Sequence, residues 1–195
     1  MSAGPFETEI KIRVPSAAEA RSTVERLGFR VARARVFESN TIYDSSGGRL
    51  RSAGELLRLR QAGGGGGLLT FKGRGEPGRH KVRPEVETEV ANPAAMARIL
   101  ECAGFRPVFR YEKYRTEFDR HDAAGTVVLD ETPIGVFFEI EGEADWIDNT
   151  AAELGFSEGD YITAAYGRLY IDYCRAANKP AEDMIFPAAE PPAPD

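Results

Sequence analysis

Three residues near the start of the chain, Glu7, Glu9 and Lys11, have types and spacing that could bind a cation or a charged ligand. Side chains at alternate positions of a β-strand face the same side, so these three would share one face, while Ile10 and Ile12 would share the other. Neighbouring carboxylates repel one another unless a cation or a basic group lies between them. Taken alone, the segment also fits an ordinary half-buried strand whose charges are hydrated.

The same alternation of charged and apolar residues recurs in most of the later segments that resemble strands. Surface strands more often carry threonine, serine and scattered lysine than dense charges of both signs. The charged positions are Arg58 and Arg60, Lys72, Arg83, Glu85 and Glu87, Lys113 and Arg115, Asp130, and Glu139 and Glu141. An open sheet with its charged face in water and a closed sheet with that face inward are both compatible with this pattern. We favour the closed sheet, because it brings the opposite charges together around a water-filled interior.

A closed sheet lined by both signs of charge suits a densely negative ligand that binds together with a metal ion. Arginine and lysine contact phosphate oxygens directly, and carboxylates reach them through a hard divalent cation. Tri- and pyrophosphates have this character. A nucleic-acid site would be mostly basic with exposed aromatic residues, whereas this chain of 195 residues has a formal net charge of -6.

Capping and turn signals indicate the elements that must position these residues. Ser16 opens a capping box, and the helix that follows is predicted to stop at Gly28. A second helix is predicted to begin after Asn92, with Pro93 at its first position, and to stop at Gly104. Each helix follows one strand and precedes several others, so the sequence predicts two pseudo-symmetric β-α-β-β-β halves.

The remaining segments contain a hairpin, two further helices and a terminal stretch. Gly63–Gly67 separates two strand-like segments and is predicted to be a hairpin tip, because neither Gly-Lys-Ser/Thr nor a helix follows it. Helices are expected near Trp146–Leu154 and over Ala164–Ala176. We expect one domain over residues 1–178 and a loosely attached Pro/Ala-rich tail over residues 179–195.

Composition limits the remaining possibilities. The two cysteines, Cys102 and Cys174, offer neither a disulfide framework nor zinc-ligand spacing. The sequence shows no apolar signal region and no membrane-spanning apolar run, so we expect a cytoplasmic protein. His80 and His121 lie in polar turn-like segments and are expected to be exposed to solvent, although a general-base role stays open for either.

The ordered set of charged motifs resembles that of the CYTH family, the triphosphate tunnel metalloenzymes. The resemblance begins with Glu7-x-Glu9-x-Lys11 and covers roughly residues 5 to 175. In the family's order, it continues through Arg58-x-Arg60, Thr70-Phe71-Lys72, Arg83-x-Glu85-x-Glu87, Lys113-x-Arg115, Asp130 with Gly135, and Glu139-x-Glu141. It implies an α+β fold, in which a closed eight-stranded antiparallel β-barrel, or tunnel, has helices packed on its outside.

The resemblance also implies roles for individual residues and a cofactor, Mg²⁺ or Mn²⁺. The triphosphate-binding residues would be Lys11, Arg58, Arg60, Lys72, Arg83, Lys113 and Arg115. The metal ligands would be Glu7, Glu9, Asp130, Glu139 and Glu141, with Glu85 and Glu87 as further candidates. The catalytic residues would be Lys11, Lys72, Glu9 and Asp130. Tyr161 and Tyr166 receive no catalytic role, because Ala165 stands where the family pattern has serine.

An enzyme that processes triphosphates is the activity that the resemblance implies, and two reactions fit it. A class IV adenylyl cyclase would convert ATP to cyclic AMP and pyrophosphate. An inorganic tripolyphosphatase or a thiamine triphosphatase would hydrolyse the terminal phosphate. A non-catalytic polyphosphate- or nucleotide-binding module is disfavoured, because anion binding alone gains nothing from so many carboxylates. We expect a nucleoside triphosphate, thiamine triphosphate or inorganic tripolyphosphate as partner, no nucleic acid and no membrane, and leave a homodimer open.

Overall fold

The structure, a computed structural model, describes residues 6–63, 65–76, 78–121 and 125–187, and within them eight strands close into one barrel. The strands are β1 (Phe6–Val14), β2 (Arg30–Ser45), β3 (Leu56–Ala62), β4 (Gly67–Lys72), β5 (Lys81–Val90), β6 (Phe105–Asp119), β7 (Gly125–Thr132) and β8 (Gly135–Gly142). Each strand is antiparallel to both neighbours, and the order around the barrel is β1-β5-β4-β3-β2-β6-β7-β8. The predicted closed antiparallel barrel is confirmed.

Helices lie outside the barrel, as predicted. They are α1 (Ala17–Arg26), α2 (Arg49–Ala53), α3 (Pro93–Cys102), α4 (Ala144–Glu153) and α5 (Tyr166–Ala176). The Ser16 hydroxyl accepts a hydrogen bond from the Glu19 backbone N–H to start α1, and the Asn92 side chain caps α3 in the same way. Gly28 and Gly104 follow α1 and α3 with φ of 87° and 89°, a left-handed conformation that glycine adopts without strain. Within the described residues, no helix combines the length and apolarity needed to cross a membrane.

Strand pairing keeps the charged positions on one face of the sheet. Where β1 pairs with β8, Glu9 lies opposite Glu141 and Lys11 lies opposite Glu139. Because successive side chains of a strand alternate between its faces, the residues between them, such as Ile10, point outward. The inner face of the barrel is therefore charged and its outer face apolar, as the sequence predicts.

Helices cover the apolar outer face in two places. On one side, α1 and α4 pack against β1, β7 and β8 around a core that includes Ile10, Val24 and Ile147. On the other side, α3 covers β3 and β6 through a cluster that includes Leu59 and Leu100. Fully burying one such aliphatic side chain contributes about 1.5–3 kcal/mol, so these layers stabilise the closed barrel.

The element order confirms two similar halves, β1-α1-β2-β3-β4 and β5-α3-β6-β7-β8. The strand β2 is continuous over 16 residues, and bulges absorb the three register shifts in its pairing with β6. The short helix α2 was not predicted. Asp44 holds it in place: Oδ1 accepts from the Leu50 N–H at 2.9 Å and Oδ2 from the Arg51 N–H at 3.0 Å.

The chain after α5 returns to the barrel. The Met184 backbone N–H donates to the Arg110 carbonyl at 2.9 Å, and the Met184 carbonyl accepts from the Glu112 N–H at 2.9 Å. The Met184 side chain is 0 % exposed, in a cluster with Tyr111 and Tyr170. The expected loose attachment is therefore wrong as far as Met184, because this apolar side chain anchors the segment. The domain boundary at residue 179 stays a prediction, and residues 188–195 of the predicted tail lie outside the described residues.

Candidate functional site

A cavity of about 1460 Å³ occupies the barrel interior. Its wall includes side chains of the strands as well as residues of α2 and α5, such as Arg51 and Ile171. Every predicted site residue except Asp130 lines this cavity. These residues are Glu7, Glu9, Lys11, Arg58, Arg60, Lys72, Arg83, Glu85, Glu87, Lys113, Arg115, Glu139 and Glu141. The charged positions that alternate along the sequence thus lie on six different strands and face one cavity.

Three of these carboxylates converge into a cluster that could hold a metal ion. Glu7, Glu9 and Glu141 can each present one oxygen within 4.8 Å of the others, and they form the only such group of potential ligands in the described part of the chain. Glu7 and Glu9 are neighbours on the inner face of β1, and Glu141 lies opposite Glu9 on β8. Carboxylate oxygens are the ligands that Mg²⁺ and Mn²⁺ favour. We call this group the carboxylate cluster.

The electrostatics of Glu141 fit a cation beside it. Glu141 makes no ion pair with a described residue, in contrast to Glu9, whose Oε1 accepts from Lys81 Nζ at 2.6 Å. Burial raises the pKa of Glu141 to about 7, and the nearby carboxylates Glu139, Glu9 and Glu7 contribute to the rise although Arg115 opposes it. A bound cation would relieve this repulsion, because it stabilises the ionised carboxylate.

Glu85 and Glu87, the further candidate ligands, differ in their surroundings. Burial and a hydrogen bond shared with Glu7 raise the pKa of Glu85 to about 8, so Glu85 lies at the edge of the carboxylate cluster. Glu87 instead accepts a hydrogen bond from the Thr70 hydroxyl at 2.6 Å and another from Arg58 at 3.4 Å. Glu85 is therefore placed better than Glu87 to contact a metal ion.

Two lysines predicted to be catalytic lie between carboxylates. Lys11 Nζ is 3.2 Å from Glu9 Oε1 and 3.0 Å from Glu139 Oε1. Burial alone would lower the pKa of Lys11, but Glu139 and Glu9 outweigh it and raise the pKa, so the ammonium stays charged. Lys72 Nζ donates to both oxygens of Glu7, at 2.7 and 2.6 Å. Both lysines line the cavity, where their charge could meet a phosphate.

The cations Arg58, Arg60, Lys113 and Arg115 form a second part of the cavity wall, which we call the basic wall. Arg58 donates to the Thr70 hydroxyl at 3.1 Å, and Arg60 Nε donates to Asn40 Oδ1 at 3.1 Å. Guanidinium groups held in this way can present paired N–H donors to phosphate oxygens. The basic wall and the carboxylate cluster face the same cavity.

Asp130, a predicted metal ligand, supports the basic wall instead. Its carboxylate accepts from Lys113 Nζ at 2.7 Å, from Arg115 Nε at 2.8 Å and Nη2 at 2.7 Å, and from the Tyr166 hydroxyl at 2.9 Å. Asp130 is fully buried and is not among the described residues that line the cavity. The structure therefore does not bring Asp130 into the carboxylate cluster, because its oxygens are already occupied by these donors.

Glu139 lies between the two parts of the site. Its oxygens contact Lys11 and the Arg115 guanidinium, so it is ion-paired on both sides. Burial would raise the pKa of Glu139, but Lys11, Arg115 and Lys113 hold it well below its ordinary value. Glu139 lines the cavity but is not a member of the carboxylate cluster.

Several interior residues were not predicted from the sequence. They are Glu38 and Asn40 on β2, Lys81 on β5, Tyr111 on β6, and Tyr166 at the start of α5. Lys81 lies two residues before Arg83 and therefore on the same face of its strand, so it could have been predicted as an interior residue. Tyr166 was set aside because Ala165 precedes it, yet its ring lies 5.4 Å from both Lys11 Nζ and Lys113 Nζ.

His80 is buried, contrary to the expectation of a solvent-exposed histidine. It is 7 % exposed, because the segment before β5 packs against α4. His80 Nε2 lies 2.8 Å from Asp148 Oδ1, and the Tyr161 hydroxyl donates to the same oxygen at 3.0 Å. None of these three residues is among those that line the cavity in the described chain. His121 is exposed, as expected.

A comparison with protein families gives one match to this chain. The CYTH domain model matches residues 5–166. A search of curated protein sequences gives no significant match. The family match spans all eight strands, from β1 to β8, and therefore includes every residue of the carboxylate cluster and the basic wall.

Solved structures share the fold over most of this chain. A candidate adenylate cyclase from Vibrio parahaemolyticus superposes with a TM-score of 0.74 and 22% identity, covering 85% of this chain and 98% of that one. The PH1819 protein from Pyrococcus horikoshii gives a TM-score of 0.73 and 25% identity, with coverages of 86% and 99%. HpAC1 from Hippeastrum is a candidate adenylyl cyclase described as having a dominant triphosphatase activity. It superposes with a TM-score of 0.63 and 20% identity, covering 89% of this chain and 96% of that one.

Proposed function

The chain belongs to the CYTH domain family, and from this premise we propose that it is a divalent-metal-dependent enzyme acting on triphosphate substrates. One observation carries the proposal. The carboxylate cluster and the basic wall face the same cavity inside one closed barrel. A purely anion-binding site would be weakened by three converging carboxylates, whereas a site for a triphosphate with its metal ion needs both kinds of group.

The carboxylate cluster fits Mg²⁺ or Mn²⁺, because its donors are three carboxylates whose oxygens can approach one another closely. When bound there, the ion would supply Lewis-acid stabilisation of phosphate oxygens. Glu7, Glu9 and Glu141 would hold it, and Glu85 is placed to join them. Lys72 is ion-paired with Glu7, and Lys81 with Glu9, so these two lysines neutralise part of the carboxylate cluster. When a metal ion occupies the cluster, the two ammonium groups would be free to contact the phosphate.

The basic wall would bind the triphosphate. Arg60, whose terminal amines make no hydrogen bond within the described residues, can offer paired N–H donors to phosphate oxygens, and Arg58, Lys113 and Arg115 add positive charge to the same wall. Asp130 orients the last two cations, so their charge is in place before a ligand enters. Preorganised cations of this kind stabilise the negative charge that develops when phosphorus is attacked. Lys11, which lies between Glu9 and Glu139, is a further candidate for this role.

Two reactions remain candidates for this site, and each has support. A class IV adenylyl cyclase-like reaction, ATP to cyclic AMP and pyrophosphate, is supported by apolar and aromatic side chains in the cavity wall, among them Phe109, Tyr170 and Ile171. Aromatic and aliphatic side chains of this type commonly line pockets for organic ligands. Hydrolysis of inorganic tripolyphosphate or thiamine triphosphate is supported by HpAC1, whose description gives a dominant triphosphatase activity.

Product analysis tests the proposal and separates the two reactions. The protein is incubated with ATP, thiamine triphosphate or inorganic tripolyphosphate, each with Mg²⁺ or Mn²⁺, and all products are resolved by anion-exchange chromatography. Cyclic AMP with pyrophosphate would support the cyclase. Orthophosphate from tripolyphosphate or thiamine triphosphate, with ATP unchanged, would support the triphosphatase. Binding of all three compounds without any turnover would contradict the proposed enzyme and favour a binding module.

A further inference from the structure

Glu38 on β2 is a charged residue of the barrel interior that the proposed function does not use. Its side chain is 0 % exposed, and neither carboxylate oxygen has a hydrogen-bond partner among the described residues. Its nearest partners are cations: Oε2 lies 3.4 Å from Arg60 Nε and 3.8 Å from Lys113 Nζ. Burying a carboxylate without hydrogen bonds is unfavourable, and such a group in a folded protein therefore needs an explanation.

The carboxylate of Glu38 lies behind the basic wall. All four cations of that wall line the cavity, whereas Glu38 is absent from the described residues that line it. Burial raises the pKa of Glu38, but Lys113 and Arg60, followed by Arg115 and Arg58, hold the pKa below its ordinary value. Glu38 is therefore an anion at neutral pH, and it attracts the same cations that a phosphate in the cavity would attract.

Asn40, two residues further along β2, contacts the same arginine. Arg60 Nε donates to Asn40 Oδ1 at 3.1 Å, and Glu38 approaches the same nitrogen from the barrel wall. The terminal amines of Arg60 make no hydrogen bond within the described residues. They consequently remain available for two oxygens of a phosphate, which is the paired geometry that arginine offers.

We propose that Glu38 and Asn40 are positioning residues for the triphosphate: Asn40 orients Arg60, and Glu38 lowers the affinity of the basic wall so that the phosphate product can leave. The inference rests on the proposed function, because it takes Arg60 and Lys113 to be phosphate ligands. A fixed negative charge behind the wall competes for these cations and repels the substrate. Loss of the charge strengthens binding, and loss of the amide weakens it. These opposite signs distinguish positioning from a merely structural role.

The test compares Glu38→Gln and Asn40→Ala with the wild type and with a matched control. Glu89→Gln removes one negative charge from an exposed position of β5, so it has the same net charge as Glu38→Gln. Isothermal titration calorimetry in metal-free buffer measures the Kd for inorganic tripolyphosphate. Glu38→Gln should bind at least roughly tenfold more tightly, because a buried charge close to the anion is lost. Asn40→Ala should bind several-fold more weakly, while Glu89→Gln stays close to the wild type.

Steady-state kinetics on the substrate found by product analysis gives a second readout. Glu38→Gln should lower both KM and kcat, because tighter product binding slows release. Asn40→Ala should raise KM. If the wild type binds tripolyphosphate and Glu38→Gln binds it no more tightly than Glu89→Gln, the inference is overturned and the proposed function stands. If the wild type binds tripolyphosphate neither without nor with Mg²⁺, the inference is overturned, and the proposed function is then decided by product analysis alone.

Thermal unfolding separates an effect of Glu38→Gln on ligand affinity from an effect on the stability of the protein. The glutamine has the shape of the glutamate, but the cations around it lose part of their compensation, so Glu38→Gln could unfold at a lower temperature without ligand. The rise of Tm with tripolyphosphate concentration then reports the affinity of the folded protein. A smaller rise for Glu38→Gln than for the wild type would contradict the inference.

Discussion

Lys113 Nζ lies 2.7 Å from Asp130 Oδ2, and both side chains are buried in the barrel interior. Taking two charges out of water is unfavourable unless further hydrogen bonds complete their coordination. Arg115 and Tyr166 complete it here by donating to the same carboxylate. Lys113 and Arg115 of the basic wall are thus held in place before a ligand enters, which is the arrangement that electrostatic stabilisation of a developing charge requires.

Asp130→Asn should destabilise the protein by about 3–5 kcal/mol, because it removes the buried carboxylate charge that Lys113 and Arg115 share. Tyr166→Phe is the matched control: it removes one hydrogen bond to the same carboxylate and should cost only about 1–3 kcal/mol. Urea denaturation measures both free energies of unfolding. A free energy for Asp130→Asn equal to that of the wild type would show that this carboxylate does not stabilise the barrel.

Glu141→Gln should weaken metal binding, because it removes one of the three carboxylates of the carboxylate cluster. We expect the affinity for Mn²⁺, measured by titration with electron paramagnetic resonance, to fall by at least the loss on the order of 10–100-fold that follows removal of an outer-shell partner of a metal ligand. Without metal, the Tm should not decrease, since burial and neighbouring carboxylates already raise the pKa of Glu141 to about 7. Glu89→Gln serves as the control, and equal Mn²⁺ affinity of the two variants would place the metal elsewhere.

The alternation of side chains along single strands was enough to predict that Glu9 and Arg60 lie inside the barrel. That prediction depends on a period of two within one segment, which the sequence displays directly. The different surroundings of Glu141 and Asp130 could not be predicted in this way. Both residues face inward, but the pairing of distant strands determines which one meets carboxylates and which one meets cations. The partners of a side chain across a barrel depend on register, which single segments do not encode.

The burial of His80 and Met184 was missed for a different reason. Each lies in a polar or proline-rich stretch with no periodic pattern, so local sequence predicted exposure. Both are buried by tertiary packing: His80 against Asp148 of α4, and Met184 against β6. The short apolar run Met184-Ile185-Phe186 within this stretch was the available signal for the second contact.

Met184→Ala should destabilise the protein by about 2–5 kcal/mol, because it leaves a cavity in a fully buried cluster. Ile185→Ala is the control, since Ile185 is 44 % exposed and its truncation should have an effect below about 1.5 kcal/mol. Thermal and chemical denaturation of the two variants makes the comparison. If Met184→Ala lost no more stability than Ile185→Ala, Met184 would not be the anchor of the segment after α5.

The stabilising effect of Asp44 should disappear in acid. Burial opposes ionisation of Asp44, but the backbone N–H groups of Arg51, Leu50 and Ser45 lower its pKa below the ordinary value. Its contribution is therefore present above the unfolded-state pKa of about 3.9 and is lost as the pH falls through the lower folded-state value. Asp44→Asn should cost about 0.5–2 kcal/mol near neutral pH.

The measurement for Asp44 is the free energy of unfolding of the wild type and of Asp44→Asn as a function of pH. The difference between the two should be constant near neutrality and should shrink as the pH is lowered below the unfolded-state value. If the difference in unfolding free energy grew as the pH fell, the pKa of Asp44 would be raised by folding, not lowered. That result would contradict the hydrogen bonds from Leu50 and Arg51 to its carboxylate.

The most direct test of the account is the turnover of triphosphates by the wild-type protein before and after removal of divalent metal. ATP, thiamine triphosphate and inorganic tripolyphosphate are each supplied to the EDTA-treated protein, and Mg²⁺ or Mn²⁺ is then added back. The account predicts that at least one of the three is converted with metal, that none is converted without it, and that Glu9→Gln abolishes the restored activity while remaining folded. Full activity of the metal-free protein, or undiminished activity of Glu9→Gln, would contradict it.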